Sequence, residues 1–271
     1  MAQRQFQIVR CHASGVQAVV ADTRHTFARH THDQFGIGVI VRGAQKSASG
    51  RGMVEAGPGH TITVNPGEVH DGTPIGDAGR AWRMLYFDPH VVADAMFDVS
   101  EGRTRSYEFT RPVMHQPALA QRFLALYAAM TAAEAGYAGT LREELLLTLL
   151  ARAVDGSASV EARAPVPAGI ANARNRIDDD PAAPVSLSEL AQTCGLSRFQ
   201  LIRAFSRATG LTPHAYLIQR RILAARRLIA QGMPLAHAAA ASGFADQSHM
   251  TRLFVRTYGI SPSVYASACT A

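Results

Sequence analysis

The last hundred residues of this 271-residue chain contain one pattern written twice. Leu187 to Tyr216 reads LSELAQTCGLSRFQLIRAFSRATGLTPHAY, and Leu235 to Tyr265 reads LAHAAAASGFADQSHMTRLFVRTYGISPSVY. Ala191, Gly195 and Leu196 recur 48 residues on as Ala239, Gly243 and Phe244. One residue is then inserted near Asp246, after which Arg203, Phe205, Gly210 and Tyr216 recur 49 residues on as Arg252, Phe254, Gly259 and Tyr265. Each unit reads as a short helix, a tight glycine turn and a second helix, the build of a helix-turn-helix. A tandem pair predicts an all-α C-terminal domain that reads two stretches of DNA groove.

Charge points the same way. The chain has 27 Lys+Arg against 21 Asp+Glu, a net of +6. From Gly169 onward there are 11 basic and 5 acidic residues, so the whole excess lies on the repeat-bearing segment. A basic domain joined to a neutral one predicts a phosphate-binding footprint on one side only. No run of 18 apolar residues occurs and the N-terminus has no signal-peptide pattern, so the expectation is a cytoplasmic protein with no membrane partner. Cys11, Cys194 and Cys269 are scattered and have no zinc-like spacing.

Residues 1 to about 112 read as short strands ended by Gly, Pro, Asn and Asp turns, among them FGIGVIVRG, HTITVNPGEVHDG and RAWRMLYFDP. This texture predicts a β-sandwich or small barrel. Two helices are expected at 117–135 and 140–154, broken apart by Gly136 and Gly139. Their apolar stripes are Leu119, Phe123, Leu126, Tyr127, Met130 and then Leu141, Leu145, Thr148, Leu149. The stretch 156–168, rich in Ser, Ala and Pro, reads as a linker. The expected domains are therefore 1–155 and 169–271.

Within the first unit, Ser186 with Glu189, and Ser197 with Gln200, stand at capping-box spacing. The second helix places Leu201, Ala204, Phe205 and Ala208 on a buried face and Phe199, Ile202, Arg203 and Ser206 on the other, with Arg198 and Arg207 flanking. Such a face suits a major groove. Phe199 either meets a thymine methyl or tucks against the first helix. In the second unit Asp246 is the expected cap, and Gln247, Ser248, His249 and Arg252 present polar groups at the helix start and outer face. Gln can take adenine and Arg guanine bidentately. Between the units, Arg220, Arg221, Arg226 and Arg227 either touch phosphate or pair with acidic neighbours.

These residues, GFADQSHMTRLFVRTYGISPSVY above all, resemble the DNA-binding domain of the AraC/XylS family of bacterial transcription regulators, over residues 169 to 266. The resemblance implies base-facing roles near Phe199, Ile202 and Arg203 and near Gln247, Ser248, His249 and Arg252. It also implies two readers in successive major grooves of double-stranded promoter DNA. A homodimer, activation through RNA polymerase and a small-molecule effector complete the expectation.

In the front half, His30-Thr31-His32 is followed by Asn65-Pro66-Gly67-Glu68-Val69-His70. This order resembles the cupin-like sensing domain, a β-barrel, that precedes the DNA-binding domain in many family members. Imidazoles converging from His30, His32 and His70 could bind a metal. Metal-binding cupins, however, carry a Glu shortly after the His pair, where Gln34 is the nearest polar candidate here. The expectation is therefore no metal, no cofactor and no catalytic set. His30, His32, Gln34 and His70 would orient an organic effector, with Trp82 and Tyr86 as aromatic walls. The competing readings are histidines satisfied at a strand edge, and a metal-dependent cupin enzyme fused to a DNA module.

Overall fold

The computed structural model describes residues 6–104, 106–132, 138–154 and 166–270. The chain divides into two compact units, Met1–Val160 and Glu161–Ala271. Most of the expected linker falls on 155–165, outside the described residues, as does the expected break at Gly136.

Among the described residues, the first unit is built from two antiparallel sheets and three helices. Strands β1 (Phe6–Val9), β2 (Val16–Thr23), β9 (Arg80–Phe87), β4 (Phe35–Arg42), β7 (Thr61–Val64) and β10 (Val113–Met114) form a six-stranded sheet in that order. Strands β3 (Phe27–His30), β8 (His70–Ile75), β5 (Ala44–Ser49) and β6 (Gly52–Ala56) form a four-stranded one. The barrel expected from the strand-rich texture is thus two separate sheets and not a closed barrel. No hydrogen-bonded ladder joins them among the described strands. What unites them is an apolar cluster that draws Val19, Ile40, Trp82 and Met84 from the larger sheet and Phe27 and Ala56 from the smaller.

Alternation explains this. Along β9, residues Trp82 and Met84 enter the cluster shared by the sheets, while Leu85 and Phe87 enter a second cluster on the opposite face. That second cluster is closed by α1 (Pro89–Val99), α2 (Pro117–Thr131) and α3 (Ala138–Val154). The larger sheet is apolar on both faces because it is covered on both. Two glycines of β4 make the fit possible: a Cβ on Gly36 would lie 2.6 Å from Met84 Cε and Val64 Cγ1, and one on Gly38 2.5 Å from the Arg83 carbonyl oxygen.

The helices correct three sequence expectations. Helix α1 lies in the stretch read as all strand; Pro89 opens it in the first turn, and Val92, Ala95 and Met96 bury its inner face. Gly139 sits inside α3 and does not break it. The buried stripe of α3 is Leu146, Leu149, Leu150 and Ala153, whereas Leu141 is 49% exposed. In α2 the expected stripe is buried throughout.

The second unit is helical: α4 (Ala168–Asp179), α5 (Leu187–Thr193), α6 (Arg198–Thr209), α7 (Pro213–Ala230), α8 (Leu235–Ala241), α9 (Gln247–Tyr258) and α10 (Pro262–Thr270). Both capping boxes are present: Ser186 and Ser197 each accept from an N3 backbone N–H, and the Glu189 and Gln200 side chains reach back to the cap. Asp246 caps α9. The two inter-helix turns pass through Gly195 (φ 63°) and Gly243 (φ 78°), a region that an L-residue enters only with strain. Gly243 has a second reason to be glycine, because a Cβ there would lie 2.8 Å from Ala182 Cα and from the Ala182 carbonyl oxygen. The 180–183 turn is therefore seated on the turn of the second helix-turn-helix.

Candidate functional site

The sorting of arginines defines the exposed face of the second unit. It has five acidic residues from Gly169 onward, and four are committed locally. Glu189 and Asp246 cap helices. Asp180 accepts from the Ala182 and Ala183 backbone N–H groups. Asp178 accepts from the Tyr216 hydroxyl at 2.8 Å and pairs with Arg220 at 2.8 Å. Arg221 donates to the Pro181 and Ala183 carbonyls. Arg226 is buried, with its guanidinium 5.3 Å from the Tyr258 ring and 5.4 Å from the Tyr265 ring. Three of the four α7 arginines whose role the sequence left open therefore hold the fold.

By contrast Arg198, Arg203 and Arg207 on α6 and Arg252 and Arg256 on α9 are exposed and form no ion pair among the described residues. These cations face solvent with no counter-charge among the described residues, which is the state that phosphate or guanine can exploit. Phe199 is 67% exposed and stands under Arg203, whose guanidinium carbon lies 5.8 Å from its ring centroid. It does not tuck against α5. Ile202 is half-buried, and Ala208, expected inside, is exposed. Leu201 and Phe205 anchor α6 from beneath.

On α9 the side chains of Gln247, Ser248 and Arg252 are exposed, and Met250 and Phe254 are buried. His249 is half-buried, its ring edge-on to Phe244 at 5.5 Å, and its backbone N–H donates to Asp246. The repeat offset carries Phe199 onto Ser248, Arg203 onto Arg252 and Arg207 onto Arg256, so the two helices present matched faces. Sequence reasoning passed over Arg256, although its partner Arg207 marked the position.

In the first unit, the end of β3 and the start of β8 bring His30 and His70 into register. One ring nitrogen from each of His30, His32 and His70 lies within 4.8 Å of the others. His30 Nδ1 stands 2.7 Å from the Ala28 carbonyl oxygen and His70 Nδ1 3.0 Å from that of Glu68. A carbonyl only accepts, so each Nδ1 carries the proton and Nε2 is left with its lone pair. Burial, with His70 nearby, lowers the His30 pKa to about 3, and burial also lowers that of His70. Both are neutral at pH 7. The Tyr86 ring lies 5.0 Å from that of His32.

This donor set fits a three-histidine metal site in composition and spacing, and in the anchoring of the His30 and His70 Nδ1 protons. No carboxylate joins the group among the described residues. The other expected site residues stand further off. The Gln34 side-chain amide donates to Asp88 at 2.9 Å. Trp82 packs edge-on against Phe6 and Phe27, and the Phe27 ring lies between it and His30.

Arg80, which the sequence reading passed over, shares the face of Trp82 and Tyr86 because it is spaced from them by even steps along β9. It is 1% exposed. Its Nε donates to Gln45 Oε1 at 2.9 Å, one terminal nitrogen to the His25 carbonyl at 3.2 Å and the other to the Gly72 carbonyl at 3.1 Å. Its guanidinium carbon lies 5.0 Å from the Trp82 ring centroid and 5.7 Å from that of Phe27. The signal in the sequence was strand parity, RAWRMLYF placing every second residue on one face.

Comparison with known proteins agrees with both units. Residues 17–151 match the model of the AraC-like ligand binding domain, and residues 190–268 that of a helix-turn-helix domain. The chain is 27% identical over 227 residues to the HTH-type transcriptional regulator YbfI of Bacillus subtilis, covering 83% of this chain and 81% of that protein. It is 38% identical over 87 residues to the transcriptional activator RhaS of Escherichia fergusonii, which spans 32% of this chain and 31% of RhaS. Among solved structures, apo ToxT from Vibrio cholerae superposes with a TM-score of 0.61 at 14% identity, over 95% of this chain and 99% of that one. The wild-type ToxT structure with a bound unsaturated fatty acid gives 0.57 at 13% identity, over 97% and 95%.

Proposed function

We propose, from the premise that the chain belongs to the AraC/XylS family of DNA-binding transcription regulators, that α6 and α9 read promoter DNA under the control of an organic effector held by the first unit. The observation that carries the DNA half is the sorting of arginines: Arg220, Arg221 and Arg226 are held by Asp178, backbone carbonyls and tyrosine rings, whereas Arg198, Arg203, Arg207, Arg252 and Arg256 stand exposed on α6 and α9 with no ion pair among the described residues. Arg203 and Arg252 take base edges, with Phe199, Ile202, Gln247 and Ser248 beside them. Arg198, Arg207 and Arg256 flank as phosphate contacts. His249 contributes from its half-buried place beside Phe244.

The effector half rests on His30, His32 and His70, grouped with Tyr86, with burial keeping His30 and His70 neutral. The neutral imidazoles of His30 and His70, protonated at Nδ1, can accept hydrogen bonds at Nε2 from hydroxyl or amide groups. Trp82 lies in the core on the same inter-sheet side, while the Gln34 amide is held by Asp88. That ToxT has been solved with a fatty acid supports a small organic occupant for this fold. Regulation is a coupling free energy: an effector that binds one arrangement of the protein 100-fold more tightly shifts the balance by ~2.7 kcal/mol. Residues 156–168 link the sensing domain, 1–155, to the reading domain, 169–271. The chain acts in the cytoplasm as a homodimer that uses Leu141 and Leu145 of α3, and engages RNA polymerase as an activator. No step in this account is catalytic.

His32→Ala tests the reading. It should abolish the effector's influence on operator occupancy and leave operator affinity without effector unchanged. Stoichiometric zinc, iron or nickel, lost in His70→Ala together with control of DNA binding, would replace the organic effector with a metal.

A further inference from the structure

A buried arginine ordinarily carries its counter-charge with it, because removing a cation from water costs several kcal/mol unless an anion is near. Arg80 does not. Its three protein partners are all neutral oxygens, from Gln45, His25 and Gly72. The acidic groups of neighbouring strands are engaged elsewhere: Asp22 with Arg42, Asp71 with the Ala48 backbone N–H and Arg29, and Glu55 with Lys46. Burial alone lowers the Arg80 pKa, to about 10, and no neighbouring anion raises it. A guanidinium has five N–H donors, so two are left over after these bonds.

A second observation comes from His25, in the turn between β2 and β3. Its carbonyl holds Arg80, its ring stands edge-on to Phe27 at 4.7 Å, and its Nε2 is buried without a hydrogen-bond partner among the described residues. A buried polar nitrogen and two spare guanidinium donors thus lie at one end of the inter-sheet core. The aromatic faces of Phe27 and Trp82 stand beside them. Gly72 lets the guanidinium approach its strand, since a Cβ there would sit 3.1 Å from an Arg80 terminal nitrogen.

We infer that Arg80, with His25, is an anion subsite of the effector pocket and that the effector is an organic carboxylate with an apolar or aromatic body. The carboxylate takes the spare guanidinium donors and the His25 ring in its Nε2–H form, and the body lies on Phe27 and Trp82 toward the histidine group. This rests on the reading of the first unit as an effector domain and names the chemical class of the effector.

The test uses the full chain, the acids acetate, hexanoate and benzoate, and their primary amides, which match in shape and lack the charge. Binding is followed by calorimetry and thermal denaturation. The acids should bind at least tenfold more tightly than the amides. Gln45→Glu places a carboxylate where the Gln45 oxygen now accepts from Arg80, and the Ser47 hydroxyl can turn to donate to it. This variant should melt higher than the wild type without ligand, and should weaken acid binding at least tenfold while amide binding stays within twofold. Amides binding as well as the acids would overturn the anion assignment and leave the effector domain standing. A Gln45→Glu chain that melts lower than the wild type, or binds acids unchanged, overturns the assignment too. No response to any of the six compounds would overturn it together with the reading of a small organic effector.

Discussion

At the scale of single residues, two kinds of charged group carry the account: arginines left without partners, and histidines kept from charging. Arg203→Ala and Arg252→Ala should each weaken binding to the preferred operator by about 1–3 kcal/mol and relax base preference at one position. A binding series against single-base operator variants checks this, with thermal melts alongside. Both side chains are exposed, so neither melt should move. The histidines give a stability signature. Their pKa values lie below the unfolded value near 6.5, so the fold binds fewer protons than the unfolded chain does. Stability is full above pH ~6.5 and declines below it, for His30 until pH falls to about 3, by up to ~1.4 kcal/mol per pH unit for each histidine that takes up its proton. Melting of the first unit should therefore hold from pH ~7.5 to about 6.5 and fall from there to pH ~5, less so in His30→Gln/His70→Gln; a flat wild-type profile down to pH ~5 would contradict the burial of neutral imidazoles. Exposure of Phe199 and Arg203 was legible in the sequence because helical period separates faces. The neutral partners of Arg80 were not, because they come from β5, β8 and the β2–β3 turn, up to 55 residues away.

At the scale of elements, the repeat preserves positions while changing their chemistry. Tyr216 stacks on Phe205 and is held by Asp178 of α4. Tyr265 stacks on Phe254 and faces Arg226 of α7, 48 residues beyond Asp178. An acid in one unit and a base in the other brace equivalent tyrosines. Arg226→Ala should accordingly lower the stability of the second unit by about 1–3 kcal/mol, through lost packing and cation–π contact. Its loss of DNA affinity should be the same for every operator variant, and a shift in base preference with an unchanged melt would make Arg226 a reader. Capping chemistry made most helix starts legible: Ser186, Ser197 and Asp246 are local signals. Helix α1 was hidden although Pro89 and the spacing of Val92, Ala95 and Met96 announce it, because its β-branched residues resemble a strand. The buried face of α3 was misread for another reason. Leucines occupy so much of that helix that period alone does not choose a face, and contact with α1 and α2 does.

At the scale of the whole molecule, the division of charge and the division of fold coincide. The basic second unit has its own core around Ile170, Leu190, Leu201 and Phe205, so residues 167–271 should fold alone. The fragment's DNA affinity should fall at least ~100-fold between 50 and 200 mM salt, as expected when several phosphates are neutralised. Salt-independent binding would remove the phosphate-dominated picture. The two-sheet architecture was only half legible: strand alternation shows which residues point inward, but not whether the outer strands close a ladder. The claim that α6 and α9 are two separate readers is tested most directly by footprinting the full chain on the promoter fragment it selects from genomic DNA. Two protected stretches about ten base pairs apart are expected, with Arg203→Ala fading one and Arg252→Ala the other. A single protected stretch, or two that fade together in either variant, would contradict it.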